Sequence, residues 1–161
     1  MILYHLKKLP EFDGKLTEKE NLHLTLKFLG EISRQDIEEL KKKLSALEFN
    51  SFEAEMSELG TFSETYLRII WAGITGCDNF QKAVDDCVGD MFAKENRFMS
   101  HVTIARVKSI KDRTKFKAEI KKIKLEKKKF LVDRFYFIQS TLSEKGPQYK
   151  ILEEYILKNI N

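Results

Sequence analysis

Two short segments carry the side chains with the most chemistry to offer, and they match. His23-Leu24-Thr25-Leu26 and His101-Val102-Thr103-Ile104 share the pattern His-apolar-Thr-aliphatic, 78 residues apart in a chain of 161. In an extended strand residues i and i+2 point to one side, so each imidazole projects beside its hydroxyl while the intervening aliphatic residue faces the core. Two imidazoles and two hydroxyls converging on one cleft suit displacement at phosphorus. There the attacking and leaving oxygens lie roughly in line, and a base is wanted on one side and an acid on the other. Imidazole ordinarily titrates near neutrality, so one copy can be neutral while the other is protonated, which predicts a bell-shaped rate profile. The threonine hydroxyls can hydrogen-bond the non-bridging oxygens where charge accumulates. A single His-x-Thr is an ordinary half-exposed sheet face; a matched pair about half a chain apart has no explanation in packing alone.

The third histidine, His5, has no companion hydroxyl at that spacing and reads as incidental. A zinc site built from His5, His23 and His101 lacks a supporting carboxylate and any recognised ligand spacing. No carboxylate cluster flanks either motif, so a metal-free reaction is expected. Arg106 and Lys108 follow the second motif and would add positive charge at the rim of a cleft, although strict alternation puts Arg106 on the strand face opposite His101.

The elements that must hold these groups are legible from periodicity. Leu22–Leu29 alternates and stops at Gly30, which predicts a strand ending in a turn. Ser33 is placed to cap a helix whose apolar stripe is Ile37, Leu40, Leu44 and Leu47. Phe52, Ala54 and Met56 alternate with Glu53 and Glu55 as a half-buried strand, and the apolar run from Leu67 to Ile74 suits a central one. Asp78, with Gln81 three residues on, is expected to cap a helix burying Phe80, Val84, Cys87, Val88 and Met91. His101–Val107 reads as a strand, and Phe116, Ile120 and Ile123 mark a weaker helix. Phe130–Gln139 reads as one strand, Glu144-Lys145-Gly146-Pro147 as a turn, and Tyr149–Leu157 as a closing strand or short helix. Two similar halves, each with a central His-x-Thr strand, give an α+β fold of antiparallel or mixed sheets with helices on the outer faces and a groove between.

Composition sets the bounds. The chain suits one domain, 1–161; 42% hydrophobic and 34% charged residues describe an ordinary globular protein rather than a disordered one. No apolar run reaches the roughly 20 residues of a membrane span, and the first residues do not read as a signal peptide, so a cytoplasmic location is expected. Cys77 and Cys87 fit neither a disulfide framework nor zinc spacing and read as reduced, buried thiols. The net charge of +4 hides an asymmetry: Lys108–Lys129 holds eleven Lys/Arg against Asp112, Glu119 and Glu126. Such a segment hints at a polyanionic partner such as RNA, and is equally the pattern of a solvated helix face.

The motifs, extended to His23-Leu24-Thr25-Leu26-Lys27-Phe28-Leu29-Gly30-Glu31 and His101-Val102-Thr103-Ile104-Ala105-Arg106-Val107-Lys108, closely resemble the paired signatures of the 2H phosphoesterase superfamily, in particular its RNA 2′,3′-cyclic phosphodiesterase (2′-5′ RNA ligase-like) branch. Leu59-Gly60-Thr61-Phe62, Ile70-Trp71-Ala72-Gly73, Ser140-Thr141-Leu142-Ser143 and Lys145-Gly146-Pro147-Gln148-Tyr149 support the match. The resemblance implies a two-lobed α+β fold with a pseudo-twofold axis and a central active-site groove. It implies hydrolysis of an RNA 2′,3′-cyclic phosphate end to a 2′-phosphomonoester, without metal or organic cofactor. Carried onto this chain, His23 is the proton donor to the departing 3′ oxygen, His101 the proton acceptor from water, and Thr25 and Thr103 hold the phosphate. Phe28 and Arg106 fall at positions used near the substrate. RNA ends, tRNA fragments among them, are the expected partners of a monomer. The alternatives are 2′-5′ ligation or phosphodiester cleavage, action on a small cyclic nucleotide, and an RNA-binding module without turnover. Members of the family open with a strand and a helix, whereas Met1–Phe12 resembles only the tail of that helix, so an exposed sheet edge is expected.

Overall fold

The computed structural model describes residues 9–63, 66–144 and 146–159. His5, most of the Met1–Phe12 segment and Lys145 therefore lie outside the described residues. In chain order the elements are β1 (Asp13–Leu16), a 3-10 turn (Lys19–Asn21), α1 (Arg34–Ser45), β2 (Phe52–Thr61), β3 (Ile69–Thr75), α2 (Asp78–Cys87), β4 (His101–Ser109), α3 (Arg113–Lys122), β5 (Lys129–Val132), β6 (Arg134–Ser143) and β7 (Gly146–Ile156). The fold is α+β. One sheet has the order β1-β4-β3-β2-β5 and the other is the β6-β7 hairpin.

The chain forms two compact units, and neither is a sequence half. The first gathers the residues up to Thr25, Glu55–Thr75 and Met99–Lys129; the second gathers Leu26–Ala54, Gly76–Phe98 and the residues from Phe130 on. Both His-x-Thr segments fall in the first unit.

In the first unit β4 is central, antiparallel to β1 on one side and β3 on the other. One face of this sheet is apolar. Ile70, Ala72, Ile104, Ala105 and Val107 are buried there with Phe116 and Ile120 of α3, as the helical stripe predicts. Leu9, Leu22, Leu59 and Val102 pack around them. Asp112 caps α3 by accepting from the Lys115 backbone N–H at 2.9 Å. Because α3 is bound through Phe116 and Ile120, its lysines belong to the layer covering the apolar face. Five of the eleven basic residues of Lys108–Lys129 thus belong to this helix.

In the second unit α1 and α2 pack on the hairpin. Leu40, Leu44, Phe80, Val84, Val88, Phe135, Phe137, Tyr155 and Leu157 form the core. Ser33 caps α1 in a reciprocal box with Asp36, at 3.1 Å in each direction. The second predicted cap is corrected: Asp78 is the first helical residue, Cys77 stands at the cap, and no side chain closes that end. Cys77 is buried as expected, whereas Cys87 is only half-buried, its thiol meeting the Lys43 carbonyl at 3.3 Å; neither is in a disulfide. The predicted Phe130–Gln139 strand is broken at Asp133 into β5 and β6, which join different sheets. Alternation alone does not reveal a strand that changes partners. The Tyr149–Leu157 ambiguity resolves as strand, since ten residues of β7 pair with β6.

Candidate active site

A sequence reading of Leu22–Leu29 as a strand is corrected by the structure. The segment makes one isolated antiparallel bridge, Leu24 to Val102, on the edge of β4 that β1 occupies further along. The chain leaves that edge after Thr17, whose N–H donates to the Ile104 carbonyl at 2.8 Å, turns through Lys19–Asn21, and returns at Leu24. A detour of this length leaves room for a bridge and not a ladder.

That single bridge organises the site. Leu24 and Val102 are the equivalent middle residues of the two motifs, so the local twofold of an antiparallel pair relates His23-Leu24-Thr25 to His101-Val102-Thr103. Val102 packs on the apolar side and Leu24 is half-buried beside it, and alternation turns both histidines and both threonines to the other face. Antiparallel register then sets His23 beside Thr103 and Thr25 beside His101.

The imidazoles are locked alike. His23 Nδ1 lies 2.8 Å from the Asn21 carbonyl oxygen, and His101 Nδ1 lies 2.7 Å from the Met99 carbonyl oxygen. A carbonyl can only accept, so each Nδ1 carries a proton and each ring's chemistry falls to Nε2. The same two-residue offset on both motifs repeats the twofold relation down to the tautomer.

The structure also moves Arg106. β4 pairs Ala105 with Ile70 but Thr103 with Trp71, leaving Ile104 as an extra residue in a β-bulge. Ile104 and Ala105 are consequently both buried, and the alternation beyond them is reversed. Arg106 and Lys108, opposite in parity to Ala105 and Val107, come onto the face of His101 and Thr103. The opposite-face expectation for Arg106 is therefore corrected, for a reason that alternation cannot anticipate.

Sequence reasoning gave no role to the residues around the second motif. Trp71 pairs with Thr103 and Gly73 with His101 in the β3–β4 register. Phe62 sets its ring edge-on to His101, with centroids 4.9 Å apart at 90°, and lies 6.0 Å from Trp71. Gly60 makes space for the indole: a Cβ there would sit 2.3 Å from its nearest ring atom. These residues belong to the segments that carried the family resemblance, which was the available signal.

Phe28 belongs to the second unit, where its ring is 82% exposed. Beside it Lys27 turns inward and pairs with Asp85 of α2, their side chains only 6% and 7% exposed. Lys27 also donates to the Ala93 carbonyl at 2.7 Å, and the Glu95 N–H donates to Asp85 at 3.0 Å. Burial, the largest influence on Asp85, pushes its carboxyl up. The Lys27 hydrogen bond, the Glu95 N–H and the nearby Lys27 and Lys94 charges outweigh it and hold the group below the ordinary carboxylate range. Among the described residues no three His, Cys, Asp or Glu side chains are grouped to hold a metal ion. No helix among them is long and apolar enough to cross a membrane.

Known proteins resemble this chain in sequence and in fold. Residues 3–71 match the model of the LigT-like phosphoesterases. An RNA 2′,3′-cyclic phosphodiesterase of Methanocaldococcus jannaschii is 36% identical over 88% of this chain and 83% of its own length. One of Thermotoga maritima is 34% identical over 89% of this chain and 79% of its own length. In fold, a crystal structure from Thermus thermophilus superposes with a TM-score of 0.77 at 24% identity, covering 99% of this chain and 91% of that one. With paired His-x-Thr motifs on one sheet face and relatives matched over most of their length, this chain belongs to the LigT-like phosphoesterases of the 2H superfamily.

Proposed function

We propose that this protein hydrolyses RNA 2′,3′-cyclic phosphate ends to 2′-phosphomonoesters by two-histidine acid–base catalysis. The observation that carries the reading is the Leu24–Val102 bridge, which sets two tautomerically locked imidazoles and two hydroxyls on one sheet face. The names of the relatives supply the substrate. His101 Nε2 takes a proton from water as its oxygen bonds to phosphorus; the P–O3′ bond breaks, and His23 Nε2 in its protonated form gives its proton to the 3′ oxygen. Each ring is left in the other's starting state, so a proton exchange with solvent resets the pair. The Thr25 and Thr103 hydroxyls donate to the non-bridging oxygens, and Arg106 adds positive charge from the same face. Phe28 is the remaining candidate for a contact with the nucleotide. A cytoplasmic monomer acting on RNA fragments, those of tRNA included, fits this role.

The test is an oligoribonucleotide with a 2′,3′-cyclic end, incubated with the protein in EDTA, followed by identification of the product end. A 2′-phosphate is expected. A 3′-phosphate, turnover only with added divalent metal, or no turnover by folded protein overturns the reading.

A further inference from the structure

The bulge at Ile104 does more than recruit Arg106: it turns the whole far end of β4 toward the histidine face. Lys108 follows Arg106 on that face, and Lys15 of β1 is the register partner of Arg106. Arg68 meets β4 at the same end. Its carbonyl accepts the Val107 N–H at 2.8 Å, and its guanidinium donates to the Lys108 carbonyl at 2.9 Å. The guanidinium also lies 4.7 Å from the centroid of the Tyr66 ring, which is 61% exposed. Three cations, Lys15, Arg106 and Lys108, thus occupy one end of the face, and Arg68 with the exposed Tyr66 ring lies beside Lys108 where the β3 side of the sheet ends. Among the described residues, the acidic groups that pair at this end are Glu18, 2.9 Å from Lys15 on the surface, and Asp13, which accepts from Ser109 at 3.3 Å. Thr103 and Lys108 are five residues apart, about 16 Å along a strand, well beyond the span of a single terminal phosphate.

Resting on the proposed RNA reading, we propose that this end of β4 binds the body of the RNA strand. Lys108 and Arg68 contact internucleotide phosphates behind the cyclic end, and a base stacks at Tyr66. Stacking surfaces interleaved with guanidinium and ammonium groups are what single-stranded RNA offers contacts to. The site is therefore built for an oligonucleotide rather than a lone cyclic nucleotide. The basic segment of the sequence contributes through Lys108, while the α3 lysines lie on the layer covering the opposite sheet face.

The experiment compares kcat/KM on adenosine 2′,3′-cyclic phosphate and on an oligoribonucleotide with the same cyclic end. It uses wild type, the Arg68→Ala/Lys108→Ala double variant, Tyr66→Ala, and a Lys121→Ala/Lys122→Ala control on α3. The double variant is expected to lose about tenfold on the oligonucleotide at low salt and nothing on the mononucleotide. Its log-log salt dependence should be shallower by roughly 1.4, two single-strand phosphate contacts. Tyr66→Ala should lose several-fold on the oligonucleotide alone, and the control nothing. Equal losses on both substrates, no loss on the oligonucleotide, or an equal loss in the control overturns the inference. If wild type turns over neither substrate, the hydrolase reading fails by itself. Anisotropy with the labelled oligonucleotide still decides this one: unchanged affinity in the double variant overturns it, and weakened affinity with an unaffected control upholds it.

Discussion

The two His-x-Thr segments present the same two groups, an imidazole and a hydroxyl, from very different backbones. The second is the start of a central strand, flanked by β3 and the β1 edge, with Phe62 against its imidazole and both side chains half-buried. The first is an exposed segment held by one bridge, and its nearest strong anchor in sequence is the buried Lys27–Asp85 pair two residues beyond Thr25. What they share is local: alternation about an apolar middle residue, and a carbonyl two residues before the histidine. The contrast teaches that a matched His/Thr pair needs those short-range features and not a full ladder: sheet pairing on both edges holds one, and a single bridge holds the other.

The largest expected effect tests the parity itself. His23→Ala and His101→Ala should each lower turnover by ~10² to 10⁴, with circular dichroism unchanged; a hundredfold loss in one variant and near wild-type turnover in the other would break the equivalence and with it the acid–base pair. Next comes the anchor of the first segment. Lys27→Met leaves Asp85 buried without its cation, and Asp85→Asn leaves Lys27 without its anion, so each should cost about 3–5 kcal/mol in urea unfolding, while a double apolar replacement costs less.

The pH dependence of that anchor has a definite sign. Because the folded-state carboxyl of Asp85 is held low, its contribution is present above the unfolded value of roughly 3.9 and lost as pH falls through the lower folded value. Unfolding of wild type should steepen in that acid window, and Asp85→Asn should lack this component; superimposable acid limbs would refute it. A smaller effect targets the second segment alone. Gly60→Val would push on the Trp71 indole beside Thr103 and should lower kcat by roughly tenfold or more, with the unfolding midpoint as the control for global damage. The smallest concerns neither motif: Ser33→Ala should remove about 1 kcal/mol by opening the α1 cap, read as a shift in midpoint with turnover at saturating substrate unchanged.

Much of this was legible in the residues. The α1 cap, the apolar stripes of α1 to α3, the central position of the Ile69–Thr75 strand and the shared face of each His and its Thr follow from interactions spanning two to four residues, and sequence states these directly. The Leu22–Leu29 strand and the Asp78 cap depart from the pattern for different reasons: the first segment pairs only through Leu24 with Val102, and the helix begins at Asp78 itself, so that Cys77 stands at the cap position.

Sequence by itself determined the two His-x-Thr motifs, the sharing of a face by each imidazole and its hydroxyl, and the family they signal. Tertiary structure decided how they meet. It placed both motifs in one unit, joined them at Leu24 and Val102, inserted Ile104 so that Arg106 and Lys108 turn toward the histidines, and set Phe62 against His101. Each of these depends on register between segments distant in the chain, and a one-residue change in register reverses every side chain beyond it.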